Sequence, residues 1–95
     1  MANNSYETMM VFSVKNGDEA AAALKEKFQK MIEESATLES VDEWGKRKLA
    51  YLINYESDGY YVLFNFTSAP DFPAELERVA NITDGVLRAL TMKKN

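Results

Sequence analysis

The residues of this chain that could do chemistry are mostly carboxylates and cations, and their spacing points away from catalysis. The sequence holds 15 Asp and Glu residues but no Cys and no His. It therefore has no thiolate nucleophile and no disulfide, and it has no imidazole that could act as a base or as a metal ligand. Adjacent acids such as Glu33 and Glu34 are typical of a solvated helix face, and the four glycines are too scattered for a phosphate-binding loop. We expect a protein that is not an enzyme and that holds no cofactor and no metal ion.

A local basic cluster contrasts with the formal net charge of −4. Three consecutive cations follow the Trp-Gly pair at 44–45: Lys46, Arg47 and Lys48. They fit a patch on a strand that contacts RNA phosphates. Composition by itself favours the plainer alternative, a solvated strand edge protected against aggregation. A second basic group near the end of the chain consists of Arg88, Lys93 and Lys94. It either contacts RNA or is an ordinary basic terminus.

The period of the apolar residues predicts six elements in the order β-α-β-β-α-β. Alternation predicts strands at 6–14, 37–53, 60–67 and 86–92, and three- and four-residue spacing predicts helices at 19–35 and after Asp71. Asp18 and Asp71 are expected to cap the helices. Gly45 is expected to form a bulge, and residues 54–59 a hairpin turn. This order predicts a ferredoxin-like α+β fold, a four-stranded antiparallel sheet with two helices on one face.

The same alternation assigns side chains to the two faces of the sheet. Helix residues Leu24, Phe28, Ile32, Leu76 and Val79 should pack on Met10, Phe12, Leu49, Tyr51, Phe64 and Phe66. The other face stays open and keeps more apolar surface than a monomer needs, which usually marks a protein contact. The residues expected to contact a partner protein there are Met9, Val11, Trp44, Tyr61 and Leu63.

Length and composition indicate one domain over residues 1–95, with an ordered core of about 6–93. The first five residues have neither the basic nor the apolar region of a signal peptide. No apolar run approaches the ~18 residues that a membrane-spanning helix needs. We expect a cytoplasmic protein with no membrane contact and no small-molecule substrate.

Four segments resemble one protein family in order and spacing. They are the run from Trp44 to Ile53 (WGKRKLAYLI), the Tyr6-Glu7 pair, the run from Gly59 to Phe66 (GYYVLFNF) and Val86-Leu87-Arg88. Together they cover nearly the whole chain. On these residues the sequence resembles the sixth protein of the bacterial small ribosomal subunit.

The resemblance implies a structural role in the ribosome. It implies binding to the central domain of small-subunit rRNA, in a heterodimer with the eighteenth small-subunit protein. It further implies that Arg47 and Arg88 lie near RNA, with Lys46 and Lys48 as weaker neighbours. Lys93, from the second basic group, is also expected to contact RNA. The alternative from another class is a small-molecule regulatory or acylphosphatase-like module on the same fold. The short Lys15-Asn16-Gly17 turn is slight for the anion-cradling loop that a phosphatase of that kind needs.

Overall fold

Six elements form in the expected order in the computed structural model, which describes residues 3–15, 17–53 and 56–94. For the strand residues 50–53 and 56 only the backbone is described. The elements are β1 (Asn4–Ser13), α1 (Asp18–Ser35), β2 (Thr37–Ile53), β3 (Glu56–Ser68), α2 (Phe72–Asn81) and β4 (Val86–Lys93). The helices of the described ranges are all too short or too polar to cross a membrane.

The four strands form one antiparallel sheet in the order β2-β3-β1-β4. Both helices pack on one face of it, so the predicted fold class is confirmed. The pairing of β2 with β3 shifts register between Glu43 and Gly45, where Gly45 has a φ of 79°. This positive φ suits a residue without a Cβ, and it confirms the bulge predicted at this glycine.

The core lies between the helices and the sheet and contains most of the residues expected there. Phe28, Ile32 and Leu76 are fully buried, and Leu24 and Val79 pack against the same cluster. The fully buried strand residues of this cluster include Met10, Phe12, Phe64 and Phe66. The predicted partner Tyr51 lies outside the described side chains.

Leu49 was assigned to the wrong face of the sheet. It is buried but is not part of the core cluster. Its side chain lies close to Val11 and Gly59 on the open face. The bulge at Gly45 explains the error, because one extra residue in a strand reverses which side chains point to each face.

Three local predictions also need correction. Asp58 and Gly59 lie inside β3 rather than in the hairpin turn, so the strands of this hairpin are longer than expected. Asp18 is the first residue of α1, and the N-cap position is taken by Gly17 at a φ of 95°. Asp71 does occupy the N-cap of α2, but its side chain makes no capping hydrogen bond. Burial of their apolar sides, rather than side-chain caps, stabilises the two helices.

Candidate nucleic-acid and protein interface

The open face of the sheet is built from cross-strand rows, since residues directly opposite each other share a face. One row runs from Gly45 through Tyr61 and Val11 to Arg88. The indole of Trp44 stacks on the ring of Tyr61, with centroids 6.4 Å apart and planes 9° from parallel. Trp44 remains 46% exposed. This row therefore presents a flat aromatic surface that ends in a cation.

The next row along the strands is mainly apolar. It runs from Asp42 through Leu63 and Met9 to Leu90. Leu63 and Met9 are half-buried, and Leu90 is 46% exposed. The expected apolar patch of the open face is thus present as a continuous surface across three strands.

Val11 belongs to this face but offers little surface. It is only 3% exposed, and it lies against Gly59 together with Leu49. These three residues form a small second cluster on the open side of the sheet. Among the five predicted partner-contact residues, Val11 therefore supports its neighbours rather than presenting a surface itself.

The predicted basic residues divide between the two faces. Arg47 lies opposite Gly59 and Arg88 opposite Val11, which places both on the open face. They occupy opposite edges, because β2 and β4 are the outer strands. Three strand spacings separate the edge strands by about 14 Å. The two arginines therefore border the aromatic row rather than forming one cluster.

The three predicted lysines lie on the other side of the sheet. Lys46 is opposite Tyr60 and Lys48 is opposite Asp58, in register with the core face of β3. Lys93 is opposite Tyr6, also on the core side. The structure thus brings Arg47 and Arg88 onto one surface and leaves Lys46, Lys48 and Lys93 off it.

The side chain of Arg47 is held in place by its own strand. Its Nε donates a hydrogen bond of 3.2 Å to the main-chain oxygen of Trp44. A guanidinium has five N–H donors, and no Nη group of Arg47 bonds another residue in the described part of the chain. These terminal groups are oriented yet available to a bidentate acceptor such as a phosphate.

The far end of the open face is polar. The Nζ of Lys94 donates to Oδ1 of Asn65 at 3.2 Å, and Nδ2 of Asn65 donates to Oγ of Ser40 at 3.0 Å. Glu7 lies in the same row, between Asn65 and Met92. The open face thus carries arginines at one end, apolar side chains in the middle and mixed polar groups at the other end.

Sequence reasoning missed two residues of this face, Leu90 and Met92. Leu90 is 46% exposed and Met92 is 50% exposed. They share the face of Arg88 because they follow it at intervals of two residues. That alternation was visible in the sequence and would have extended the predicted apolar patch onto β4.

An electrostatic link joins α1 to the hairpin on the helix side. Lys25 Nζ lies 2.8 Å from Oε1 of Glu43, and the hydroxyl of Tyr60 donates to Oε2 of the same carboxylate at 3.4 Å. The hydrogen bond to Glu43 is the main reason that the pKa of Lys25 is raised. The pKa of Tyr60 is also raised, mainly by burial and then by the negative charge of Glu43. Glu43 is thus occupied within the protein.

Nothing in the described ranges resembles a reaction centre. They hold no group of three or more acidic residues placed to bind a metal ion. A cleft of about 600 Å³ lies between the end of α1 and the start of α2, lined in part by Ser35, Phe72 and Glu75. Its one cation, Arg78, is paired with Glu75. The arrangement on the open face suits binding rather than catalysis.

Comparison with known proteins gives a consistent result. The family model described as ribosomal protein S6 matches residues 5–93. The small ribosomal subunit protein bS6 of Caldanaerobacter subterraneus subsp. tengcongensis is 53% identical over 94% of this chain and 95% of its own length. The bS6 protein of Clostridium novyi is 49% identical over 93% of this chain and 94% of its own length. A crystal structure of 30S ribosomal protein S6 from Thermotoga maritima superposes with a TM-score of 0.90, at 27% identity, and covers 98% of this chain and 89% of that chain.

These matches decide between the function classes left open by the sequence. The relatives are structural proteins of the ribosome and not enzymes, which confirms the expectation of a non-enzymatic protein of the cytoplasmic ribosome. The regulatory and acylphosphatase-like alternatives receive no support. With a family model that spans nearly all of its residues, the chain belongs to the ribosomal protein S6 family.

Proposed function

We propose that this protein binds the central domain of small-subunit rRNA together with the eighteenth small-subunit ribosomal protein, and that the open face of the sheet is the shared surface. One observation carries the proposal. An exposed apolar centre on this face is bordered by Arg47 on one edge strand and by Arg88 on the other. A contiguous exposed apolar surface usually marks a protein contact, and arginines at its border suit phosphate.

The partner protein contacts the open face from the aromatic pair Trp44 and Tyr61, through the middle, to the polar end. Leu63, Met9 and Leu90 supply the apolar contact there. Asp42 and Glu7 lie in or next to this row and give it a negative border. A ribosomal protein that binds RNA is ordinarily basic, and complementary charge brings such a partner to an acidic chain and fixes its orientation.

RNA contacts the arginine end of the face. The guanidinium of Arg47 is already fixed through its Nε, so little side-chain entropy is lost when its terminal groups grip a phosphate. Arg88 stands at the same end of the sheet on the opposite edge, in the row of Tyr61 and Val11. RNA that borders the partner at this end meets both cations, one on each side of the aromatic row.

The experiment is a salt series on the heterodimer with an rRNA central-domain fragment. Each phosphate contact contributes about 0.7–0.9 to the slope of log affinity against log salt. The Arg47→Ala, Arg88→Ala double variant should lower that slope by about 1.4–1.8 and weaken binding without changing sequence preference. Lys30→Ala, which removes an exposed cation of α1 on the helix side, is the matched control and should leave the slope unchanged. If the double variant keeps the wild-type slope and affinity, the arginines do not contact RNA and only keep the strand edges solvated.

A further inference from the structure

The hairpin of β2 and β3 extends past the end of its neighbour β1. The last residue of β1, Ser13, pairs with Gly59. Beyond that row β2 and β3 pair only with each other, through Lys48 with Asp58 and Ile53 with Glu56. We define the hairpin arm as residues 46–49 of β2 and 57–60 of β3. Lys46 and Arg47 lie in the last two rows that β3 shares with β1, and Lys48 lies beyond them. At about 3.4 Å per residue, the three residues from Gly59 to Glu56 reach about 10 Å past the last β1 row.

The hairpin arm carries cations on both faces. Lys46 and Lys48 lie on the face that continues the helix side, and Arg47 lies on the face that continues the open side. All three residues are exposed. Neither Lys46 nor Lys48 has a hydrogen bond or an ion pair to any other residue within the described ranges. The largest local concentration of positive charge in an acidic chain thus lies on both faces of the edge strand β2, at the end of the sheet.

The nearby carboxylates do not cancel this charge. Glu43, one row away from Lys46 on the same face, is engaged by Lys25 and by Tyr60. Asp58 is opposite Lys48, so it offsets the charge of that lysine more than that of Lys46, two residues away. On the helix-side face of the hairpin arm, the charge of Lys46 is therefore offset less by nearby carboxylates than the charge of Lys48.

We propose that the hairpin arm inserts between two separate segments of rRNA, with Arg47 on the phosphates of one and Lys46 on those of the other. This inference rests on the proposed function. A phosphate row that lies along one face of the sheet meets only the side chains of that face, because successive side chains point to opposite faces. An rRNA that folds around the arm can neutralise both sets of cations. A protein partner on the helix-side face would need apolar contact, and Lys46 and Lys48 are the exposed side chains there.

The absence of cysteine from the chain permits a direct test. Single variants Lys46→Cys and Arg47→Cys, each labelled on sulfur with a short aryl-azide photocrosslinker, are assembled with the partner protein and the central-domain rRNA fragment. Each variant keeps two of the three cations of the arm. We expect crosslinks from positions 46 and 47 to two different rRNA segments. Lys30→Cys on α1 is the background control. Crosslinks from both positions to one segment, or a signal from position 46 no higher than from position 30, would overturn the inference.

Salt dependence separates failure of this inference from failure of the proposed function. Lys46→Gln should lower the slope of log affinity against log salt by about 0.7–0.9, and Lys48→Gln by less because Asp58 lies opposite. If the Arg47, Arg88 double variant lowers the slope while Lys46→Gln does not, the hairpin arm does not contact rRNA on both faces, and the proposed function stands. If neither changes the slope, the proposed function itself fails.

Discussion

The two faces of the sheet are built from the same strands but have different roles. On the helix side Met10 and Phe12 are completely buried. Their neighbour Met9, on the open side of the same strand, is half-buried and lies beside Leu90, which is 46% exposed. The helix face thus contributes most of the apolar burial that stabilises the fold, and the open face keeps apolar surface that the proposed partner would cover. Alternation along one strand assigns both roles.

The open face is not uniform, however. Val11 and Leu49 are buried there against Gly59, outside the main core. This small cluster joins the hairpin arm, through Leu49 and Gly59, to Val11 of β1. It gives the open face one region that contributes to stability, and it gives the arm a fixed starting point.

The sharpest test of this comparison truncates one apolar side chain on each face. Phe28→Ala or Phe64→Ala removes a fully buried ring from the core, and we expect a loss of about 3–5 kcal/mol in the free energy of unfolding. This is a large share of the stability of a chain of this size. Leu90→Ala on the open face should change the free energy of unfolding by less than about 0.5 kcal/mol. Urea denaturation of the free protein measures both.

Equal losses from the two substitutions would break the comparison. A large loss from Leu90→Ala would mean that the open face stabilises the free protein as the core does. A small loss from Phe28→Ala would mean that α1 contributes little to folding.

A substitution on the open face should weaken binding to the partner protein and leave the fold intact. Tyr61→Glu places a carboxylate in the aromatic row beside Trp44 and should weaken heterodimer formation by about 2–4 kcal/mol, since a desolvated unpaired charge opposes association. The fold should remain, because Tyr61 is on the face away from the core. Tyr61→Phe keeps the ring stacked and is the control, with an affinity close to wild type. Calorimetric titration with the purified partner measures the effect, and unchanged affinity for Tyr61→Glu would place the partner elsewhere.

How far the sequence predicts this molecule depends on whether a strand keeps its register. In β3 Val62, Phe64 and Phe66 alternate without interruption and are all buried, so the assignment of Phe64 and Phe66 to the core is correct. In β2 the core-side residues are Leu38, Val41, Glu43, Lys46 and Lys48, at intervals of two and three residues. Each interval of three marks a register shift that reverses the faces.

The glycine at 45 predicts a bulge, but glycine alone does not say whether the strand beyond it keeps its alternation. Strict alternation from Val41 would have put Arg47 and Leu49 on the core side. The bulge moves both to the open face, which is why one predicted core residue and one predicted RNA contact share a surface. The position of β4 at the far edge, and so the separation of Arg88 from Arg47, follows from the strand order and not from any local pattern.

Gly59 tests the small cluster on the open face. A Cβ at this position would collide with Cγ1 of Val11 and would lie 3.3 Å from Cδ2 of Leu49. Gly59→Ala should therefore lower the free energy of unfolding by about 1–3 kcal/mol through overpacking. Adding Val11→Ala removes the colliding methyl group, so the double variant should lose less than the sum of the two single losses. Additive losses in urea denaturation would show that the two residues do not share this contact.

The smallest expected effect concerns the link between α1 and the hairpin on the helix side. Glu43→Gln removes the charge that attracts Lys25 while keeping a side chain of similar size. The two side chains of this ion pair are 23% and 42% exposed, so solvent screening limits the loss in the free energy of unfolding to about 0.5 kcal/mol. Glu33→Gln is the control. Glu33 is an exposed residue of α1, the helix that carries Lys25, and its substitution should leave the free energy of unfolding unchanged.

The pH dependence identifies that effect as electrostatic. The pKa values of Lys25 and Tyr60 are both raised in the folded protein, so the unfolded chain loses these protons first as the pH rises. The stabilisation is fully present below the unfolded pKa values, near pH 10, and is lost as the pH rises through the folded ones. In Glu43→Gln the pKa of Lys25 should fall back towards its ordinary value, while the burial of Tyr60 remains. The decline in stability above about pH 10, followed by urea denaturation from pH 8 to pH 11, should therefore be shallower than in wild type but not absent. A decline of unchanged steepness would show that Glu43 does not link α1 to the hairpin through its charge.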